Sequence, residues 1–267
     1  MATAVICEFN PFHNGHKYLL ESAKNVLKEP VIAIMSGSFT QRGEVAVCDK
    51  FVRAKSALEN GADLVLALPV VFSLSGAEGF AKAGVAIASA FDCTNYLAFG
   101  SESGDCELLK KSANAVCDER VQALVRDGMK NGGYYPRELE NAVKTVFGDE
   151  ISSVLCEPNN ILGVEYIKAL NGTGVEPFSV ARTGVAHDSR IAGEGFASAS
   201  HIREMLRNGE NAKKYAPHIP DEITFPENLD RPLLYRLRTM TREDIAKLPN
   251  VGEGLENRIA DAAVRCS

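Results

Sequence analysis

Short apolar runs alternate with helix-like segments through the N-terminal part of the chain, and this alternation restricts the fold more than any other feature. The runs are rich in β-forming residues and do not alternate apolar with polar positions, which predicts strands buried on both faces. The apolar runs occupy residues 4–7, 31–35, 63–68 and 95–99, and the helical segments occupy 15–28, 49–60 and 76–90. This order predicts an α/β fold with a parallel sheet and right-handed crossovers.

The loops that follow the predicted strands carry most of the polar and glycine-rich sequence. They lie at Phe9–His16, Ser36–Gly43, Pro69–Ser75 and Phe99–Gly104. Ligands of open parallel sheets bind beyond the carboxyl ends of the strands, so we expect these loops to converge on one site.

The first of these loops ends in the tetrapeptide His13-Asn14-Gly15-His16, at the point where a helix begins. A helix N-terminus has unpaired N–H groups and a partial positive charge, which favours a bound anion. Gly15 lets a phosphate approach the backbone, Pro11 restricts the turn, and Asn14 is a good capping residue. Two imidazoles there can donate hydrogen bonds to a phosphoryl group under attack. The alternative is two histidines of an ordinary turn.

The second half of the chain is less regular. We expect two charged helices over 105–147 with a break at Gly132-Gly133, forming an insertion without chemistry of its own. A helix at 159–170, a strand at 177–182, a mobile loop at 183–197 and a helix from Ser198 to Leu206 follow. Proline-rich residues 217–232 predict a linker, and residues 233–265 predict short helices. The predicted organisation is an α/β domain over 1–216 and a small helical C-terminal appendage over 217–267.

Composition and charge limit the classes of protein to which the chain can belong. Hydrophobic residues are 45% of the 267 and charged residues 24%, as in an ordinary globular protein. No apolar run is long enough to span a bilayer, and no basic region precedes the first run, so we expect neither membrane attachment nor a signal peptide. Seven cysteines without a C-x-x-C pair favour reduced thiols in the cytoplasm over disulfides or a zinc site.

The net charge of −6 argues against an extended RNA-binding face, because neutralised phosphates supply much of the affinity for RNA. Local basic clusters are the candidates for such a face. They are Lys110-Lys111, Arg203 with Arg207, Lys213-Lys214 and residues 231–242. The segment Leu248–Gly254 is faintly similar to a helix-hairpin-helix that grips nucleic-acid phosphates, but Glu253 and Glu256 favour a plain turn between two helices.

The H-x-G-H tetrapeptide resembles the signature of a nucleotidyltransferase superfamily whose members transfer AMP from ATP. From about residue 4 to about residue 265, the chain is also similar to the bacterial tRNA(Met) cytidine acetate ligase family. The segments that carry this similarity are Ser36–Glu44, Asp49–Lys55, Asn60–Pro69, Phe99–Glu102, Pro158–Gly163, and Arg182 with His187-Asp188. The resemblance implies a Rossmann-like parallel sheet of the nucleotidyltransferase type. Members of that family continue into a further C-terminal region, so we expect a truncated or short member.

The resemblance also implies a reaction in two steps. Acetate attacks the α-phosphate of ATP, with Mg2+ as the expected counter-ion, and gives acetyl-adenylate and pyrophosphate. The exocyclic amine of the wobble cytidine in elongator tRNA(Met) then attacks the acetyl carbonyl, which yields N4-acetylcytidine and AMP. Such chemistry depends on positioning and on donors aimed at charge that develops on phosphoryl oxygens.

Site residues follow from the same resemblance. His13 and His16 are the expected catalytic residues. Ser198-Ala199-Ser200-His201-Ile202-Arg203 resembles the second superfamily signature, S-x-S-x-I-R, whose hydroxyls and arginine hold the β- and γ-phosphates. The expected ATP-binding residues are Cys7, Glu8, Phe9, Asn10, Pro11, Phe12, Asn14, Gly15, Gly100, Asn159, Arg182, Ser198, Ser200 and Arg203.

Several of these residues have plainer interpretations. Ser198 and Asn159 could be simple N-caps, and Arg182 could form a surface ion pair. Candidates for contact with acetate or pyrophosphate are Gln41, Arg42, Lys50 and Arg53. No carboxylate cluster has the spacing of metal ligands, so we predict no metal-binding residue.

Two other functions compete with the ligase. One is a small-molecule adenylyltransferase of cofactor synthesis, which the acidic charge favours. The other is a nucleotide-binding module that has lost catalysis, against which His13, His16, Ser200 and Arg203 argue.

Overall fold

A five-stranded, all-parallel sheet organises the chain and confirms the predicted α/β fold. The computed structural model describes residues 1–182, 195–252 and 254–266. The chain divides into two compact units, Met1–Ile223 and Thr224–Ser267. The sheet belongs to the first unit, in the order β3-β2-β1-β4-β5. Its strands are β1 Ala2–Cys7, β2 Val31–Ser36, β3 Leu64–Leu68, β4 Thr94–Ser101 and β5 Glu176–Ala181.

The strand register brings the carboxyl ends together at one edge. Cys7 lies opposite Met35 on the neighbouring strand, and Gly100 lies opposite Val180. The central strand β1 is buried on both faces, with Val5 packed on one side and Ile6 on the other. This double burial explains why the apolar runs do not alternate with polar residues.

Helices cover both faces of the sheet. The helices α1 Asn14–Leu27 and α2 Lys50–Glu59 enclose one core with β1 and β2, through Leu20 and Ala57. The short helix α3 Val70–Ser73 leads into α4 Ala77–Ser89 on the opposite face. There Gly84 packs so closely on β1 that an added Cβ would lie 2.5 Å from Ile6 Cδ1.

The predicted insertion contains three helices instead of the two expected, and a fourth short one follows it. These helices are α5 Cys106–Cys117, α6 Glu119–Lys130, α7 Tyr135–Phe147 and α8 Asp149–Ser153. The missed break lies at Asp118, which has extended backbone angles and accepts a hydrogen bond from the Arg120 N–H as the N-cap of α6. A short 3-10 helix, Val154–Cys156, precedes α9 Pro158–Leu170.

Helix α10, Ala199–Arg207, completes the regular structure of the first unit. The mobile loop predicted at 183–197 and the pair His187-Asp188 fall largely or wholly outside the described residues. No helix of the described residues is long and apolar enough to cross a membrane.

The second unit consists of short helices. They are a 3-10 helix at Pro226–Leu229, α11 Asp230–Thr239, α12 Arg242–Ala246 and α13 Leu255–Arg265. Helix α11 thus begins inside the segment predicted to be a linker, because Pro232 falls in its first turn, where a missing N–H costs nothing. Arg242 joins α12 to α13 through Asn257 and Asp261, at 2.7 Å each. Glu253, which entered the interpretation of Leu248–Gly254, lies outside the described residues.

Candidate nucleotide site

A cavity of about 390 Å³ opens at the carboxyl ends of the strands in the first unit. Its walls come from the ends of β1, β4 and β5 and from residues of α1, α4, α9 and α10. Fourteen of the predicted site residues line it: Cys7, Glu8, Phe9, Asn10, His13, Gly15, His16, Gln41, Arg42, Gly100, Asn159, Arg182, Ser200 and Arg203. Six do not: Pro11, Phe12, Asn14, Lys50, Arg53 and Ser198.

The two histidines of the H-x-G-H turn form a capping box at the start of α1. His13 is the N-cap, and its Nδ1 accepts a hydrogen bond from the Gly15 N–H at 3.0 Å. The His16 Nδ1 accepts one from the His13 N–H at 3.3 Å, and the two rings stack with centroids 3.7 Å apart. Because both Nδ1 atoms act as acceptors, the proton of each neutral imidazole lies on Nε2, which is therefore the donor.

Aromatic packing fixes the orientation of His16. Its ring centroid lies 4.9 Å from that of Phe9 and 5.8 Å from that of Phe12. Phe9 is fully buried and has φ of 48°, an unusual angle for a residue with a side chain. Phe12 thus supports the histidines from behind instead of lining the cavity.

Gly15 and Asn14 have roles that differ from those expected. A Cβ on Gly15 would lie 2.9 Å from Cε1 of His13, so the histidine ring is what requires glycine at this position. The N-cap is His13 and not Asn14. Asn14 Nδ2 instead donates to the carbonyl oxygens of Gly195 and Lys214, at 2.7 and 3.1 Å. It therefore connects the start of α1 to a distant part of the chain.

The S-x-S-x-I-R segment lies beside the first signature. Ser198 is buried and caps α10 by accepting a hydrogen bond from the His201 N–H at 3.1 Å, and its Oγ lies 2.9 Å from that of Ser200. Arg203 lines the cavity and donates from Nη1 to the Asn10 carbonyl at 2.9 Å. The structure therefore brings Ser200 and Arg203 to the cavity, with Ser198 behind them.

A small hairpin at residues 38–46 forms the opposite wall. Its two sides pair at Phe39 and Val45. Within it, the Gln41 N–H donates to Oε1 of Glu8 at 2.5 Å, and Glu44 approaches Arg203 at 3.7 Å. The hairpin is thus bound to the end of β1 on one side and lies near α10 on the other.

Glu8 places a carboxyl group at the wall of this cavity. Burial raises its pKa, against the lowering effects of the Gln41 N–H and of Arg203, Arg42 and Arg53. Burial also raises the pKa of the neighbouring Cys7 thiol. A carboxyl group in a cavity whose pKa is shifted by burial and by specific charged neighbours is a candidate functional group.

Arg53 does not line the cavity but lies beneath it, with 1% of its surface exposed. Among the described residues, its guanidinium donates only to backbone carbonyls: Cys48 from Nε at 3.2 Å, Glu8 and Ser36 from Nη1 at 2.6 and 3.2 Å, and Gly37 from Nη2. These bonds join the ends of β1 and β2, so the geometry favours a structural role for Arg53 over the predicted contact with acetate or pyrophosphate. Lys50 lies over the Phe51 ring, 5.2 Å from its centroid, also outside the cavity lining.

Glu102 organises the far end of the cavity. Its carboxylate accepts hydrogen bonds from the N–H groups of Asn159 and Asn160 at the start of α9, and from Asn159 Nδ2 at 2.5 Å. Asn159 is therefore held by Glu102 and is not the N-cap, which is Glu157.

Arg182 follows β5 and extends past Gly100, where an added Cβ would lie 3.6 Å from Arg182 Cγ. Burial lowers the pKa of the guanidinium, and Glu102 opposes this effect. The buried Nε of Arg182 has no hydrogen-bond partner among the described residues. Arg182 thus lines the cavity and has an N–H group that can still donate a hydrogen bond. This position differs from the surface ion pair that the sequence left open as an alternative.

Comparison with known proteins identifies the family. The chain matches the model of the HIGH Nucleotidyl Transferase family over residues 1–267. It is 37% identical over 281 residues to the tRNA(Met) cytidine acetate ligase of Thermoanaerobacter sp. (strain X514), which covers 98% of this chain and 69% of that protein. The chain belongs to this ligase family. The corresponding protein of Thermosipho africanus is 35% identical, with 97% of this chain and 66% of that protein covered.

Solved structures agree with this membership. Two crystal structures of Thermotoga maritima TmcAL, one apo and one bound with alpha-thio ATP, match this family member with TM-scores of 0.91 and 0.89. Each is 33% identical, and the match covers 100% of this chain and 68% of that chain. This chain thus spans about two thirds of the length of the relatives that it matches.

Sequence reasoning missed several lining residues of this family member, among them Tyr166 and Glu44. Tyr166 is 2% exposed, and burial raises the pKa of its phenol well above the ordinary value. Helical spacing could have found it, because Asn159, Leu162 and Tyr166 lie at intervals of three and four residues on one face of α9 and all line the cavity. No comparable pattern marks Glu44.

The described residues contain no group of three or more His, Cys, Asp or Glu side chains that could hold a metal ion. Glu8 and Glu44 are the acidic side chains in the cavity lining. Mg2+ commonly keeps several waters and is bound by one or two carboxylates together with substrate phosphates. The donor set here fits a magnesium ion that enters on the nucleotide, and it does not fit a metal held by the protein alone.

Proposed function

We propose that this chain activates acetate with ATP and transfers the acetyl group to the wobble cytidine of elongator tRNA(Met), which gives N4-acetylcytidine. The observation that carries the proposal is the meeting of both nucleotidyltransferase signatures at one cavity: His13 and His16 on one wall, and Ser200 and Arg203 beside them. The names of the relatives supply the acetate and the tRNA, and the complex of the Thermotoga protein with alpha-thio ATP supports the nucleotide.

In the first step, an acetate oxygen attacks the α-phosphorus of ATP, and the bond to the pyrophosphate oxygen breaks. Negative charge develops on the phosphoryl oxygens, and the Nε2–H groups of His13 and His16 are the donors that stabilise it. Such donors contribute about 3 kcal/mol each to the transition state and little to the ground state. Ser200 and Arg203 hold the β- and γ-phosphates as pyrophosphate leaves.

Arg182 and Asn159 complete the proposed nucleotide site. A guanidinium stacks on a purine or pairs with a phosphate, and the Nε of Arg182, which has no partner within the described part of the chain, fits either contact. Mg2+, bound by the triphosphate, would neutralise charge on the leaving pyrophosphate. Gln41 and Arg42 of the hairpin remain the proposed contacts for acetate, because both line the cavity. The cytoplasm, where ATP and tRNA occur together, is the proposed location.

Pyrophosphate release tests the proposal directly. We expect purified protein to release pyrophosphate from ATP when acetate is added, and to form N4-acetylcytidine only when elongator tRNA(Met) is also present. Nicotinate mononucleotide is the comparison acceptor, because its adenylylation would identify the competing cofactor-synthesis activity. Release that does not depend on acetate would refute the ligase assignment, and silence with every acceptor would indicate a binding module.

A further inference from the structure

Glu8 has an unusual position for a carboxylate. It follows the central strand β1 directly and lines the cavity with both histidines and Arg203. Its Oε1 accepts the Gln41 N–H, whereas its Oε2 accepts no hydrogen bond from the described residues. The carboxylate also forms no ion pair with the part of the chain that the structure describes.

A carboxylate at this point is costly for a site that binds anions. ATP and acetate are both negatively charged, and a further negative charge in the same cavity repels them. Burial also adds a desolvation penalty to the ionised form, which the nearby arginines offset only in part. A neutral glutamine would accept the same hydrogen bond from the Gln41 N–H without either cost. That hydrogen bond alone therefore does not explain why residue 8 is a glutamate.

The second step of the proposed reaction needs a group of this kind. The acceptor amine attacks the acetyl carbonyl carbon of acetyl-adenylate, a C–N bond forms, and the bond from that carbon to the phosphate oxygen breaks. AMP leaves with the electron pair, and the nitrogen must lose one proton. The histidines donate from Nε2 and use Nδ1 as acceptors for backbone N–H groups, so neither is available as the base.

We propose that Glu8 is the general base of acetyl transfer, with Oε2 accepting the proton from the acceptor amine. This inference rests on the proposed function and adds a catalytic residue to its second half. The protonated Glu8 then returns the proton to solvent after AMP leaves. In the first step the same side chain serves only to hold the hairpin through Gln41.

The charged and titratable groups around Glu8 set its behaviour with pH. Arg53 of α2, Arg42 of the hairpin and Arg203 of α10 favour the ionised carboxylate, whereas burial disfavours it and prevails, so the pKa is raised. Burial raises the pKa values of Cys7 and Tyr166 well above their ordinary ranges, so both stay neutral. His13 and His16 at the start of α1 and Glu44 of the hairpin are further titratable groups that line the same cavity. The rate of acetyl transfer should therefore rise with pH as the Glu8 carboxyl loses its proton.

Substitution of Glu8 separates its two roles. The Glu8→Gln variant keeps an oxygen acceptor for Gln41 and removes the base. We expect single-turnover acetyl transfer from preformed acetyl-adenylate to tRNA to fall by about a hundredfold or more, the range of a general base. Acetate-dependent exchange of pyrophosphate into ATP should fall much less. The Glu8→Ala variant also removes the acceptor of the Gln41 N–H, so the rates of both reactions should fall.

The control is Glu21→Gln, which changes an exposed carboxylate on α1 and should leave both rates unchanged. The pH profile of transfer is a second test, because the rise of the rate with pH should be present in the wild-type protein and absent from Glu8→Gln. Equal loss of both reactions in Glu8→Gln, or the same pH profile of transfer in both proteins, would overturn the assignment of the base. Wild-type protein without acetate-dependent exchange would instead refute the proposed function itself.

Discussion

Replacement of Arg53 by lysine distinguishes a structural arginine from a substrate ligand. The guanidinium uses three nitrogens to satisfy four backbone carbonyls at the ends of β1 and β2 and in the loops beyond β2. Lysine has one nitrogen and reaches the neighbouring Glu8 and Ser36 carbonyls at best. Two buried carbonyls then lose their donor, at about 1–3 kcal/mol each.

The expected loss in the free energy of unfolding is therefore about 2–6 kcal/mol. For a unit of this size, 1 kcal/mol lowers the Tm by about 2–4 °C, so the Tm of Arg53→Lys should fall by about 4–24 °C. Calorimetry or thermal melts followed by circular dichroism would measure it. The matched control is Arg126→Lys on α6, an exposed arginine, where we expect a change within about 0.5 kcal/mol.

Steady-state kinetics of Arg53→Lys test the alternative that Arg53 contacts the substrate. If Arg53 only supports the strand ends, the KM for acetate should stay within a few-fold while kcat falls as the cavity floor shifts. A normal Tm together with a KM for acetate raised about tenfold, equivalent to about 1.4 kcal/mol of lost binding, would refute the structural role. Arg53 would then be the substrate contact that the sequence predicted.

Two further substitutions test the site and the sheet beneath it. His16→Ala should lower acetyl-adenylate formation by about a hundredfold, because a donor to developing charge is lost, while the Kd for ATP by calorimetry stays within a few-fold; a normal kcat with only a raised KM for ATP would contradict this role. Gly84→Ala should lower the urea midpoint of unfolding, because the added Cβ meets Ile6. The cost of overpacking, about 1–3 kcal/mol, exceeds the gain of about 1 kcal/mol in helix propensity. An unchanged or higher midpoint would show that α4 moves away from β1 without cost.

Local pattern was sufficient to predict the sheet and to locate the cavity. The apolar runs and the helices between them correspond to β1 to β4 and to α1, α2 and α4 within a few residues at each end. Both signatures were recognisable because each is a contiguous segment at a helix start. The rule that parallel strands present their carboxyl ends together predicted that four loops would converge. Phe9–His16, Ser36–Gly43 and Phe99–Gly104 supply lining residues, whereas Pro69–Ser75 supplies none.

Local pattern could not show contacts between distant residues, and it missed a helix break that no marker residue announces. Arg53 looks like a ligand in the sequence because nothing local shows that the carbonyls of Glu8 and Ser36 surround it. Asn14 looks like a cap because its partners lie far along the chain. The third helix of the insertion was missed because Asp118 ends one helix and caps the next without a glycine or proline to mark the break.

The hydrogen bonds of Asn14 have a consequence for biosynthesis. Its side chain binds carbonyls that lie 181 and 200 residues further along the chain, and its N–H donates to the Tyr215 carbonyl. A ribosome releases the N-terminus first, so α1 emerges long before these partners do. The turn with both histidines is therefore completed only after residue 215 has left the exit tunnel. Nascent chains can form much of the sheet early, while the cavity wall at the start of α1 stays incomplete until synthesis of the first unit is nearly finished.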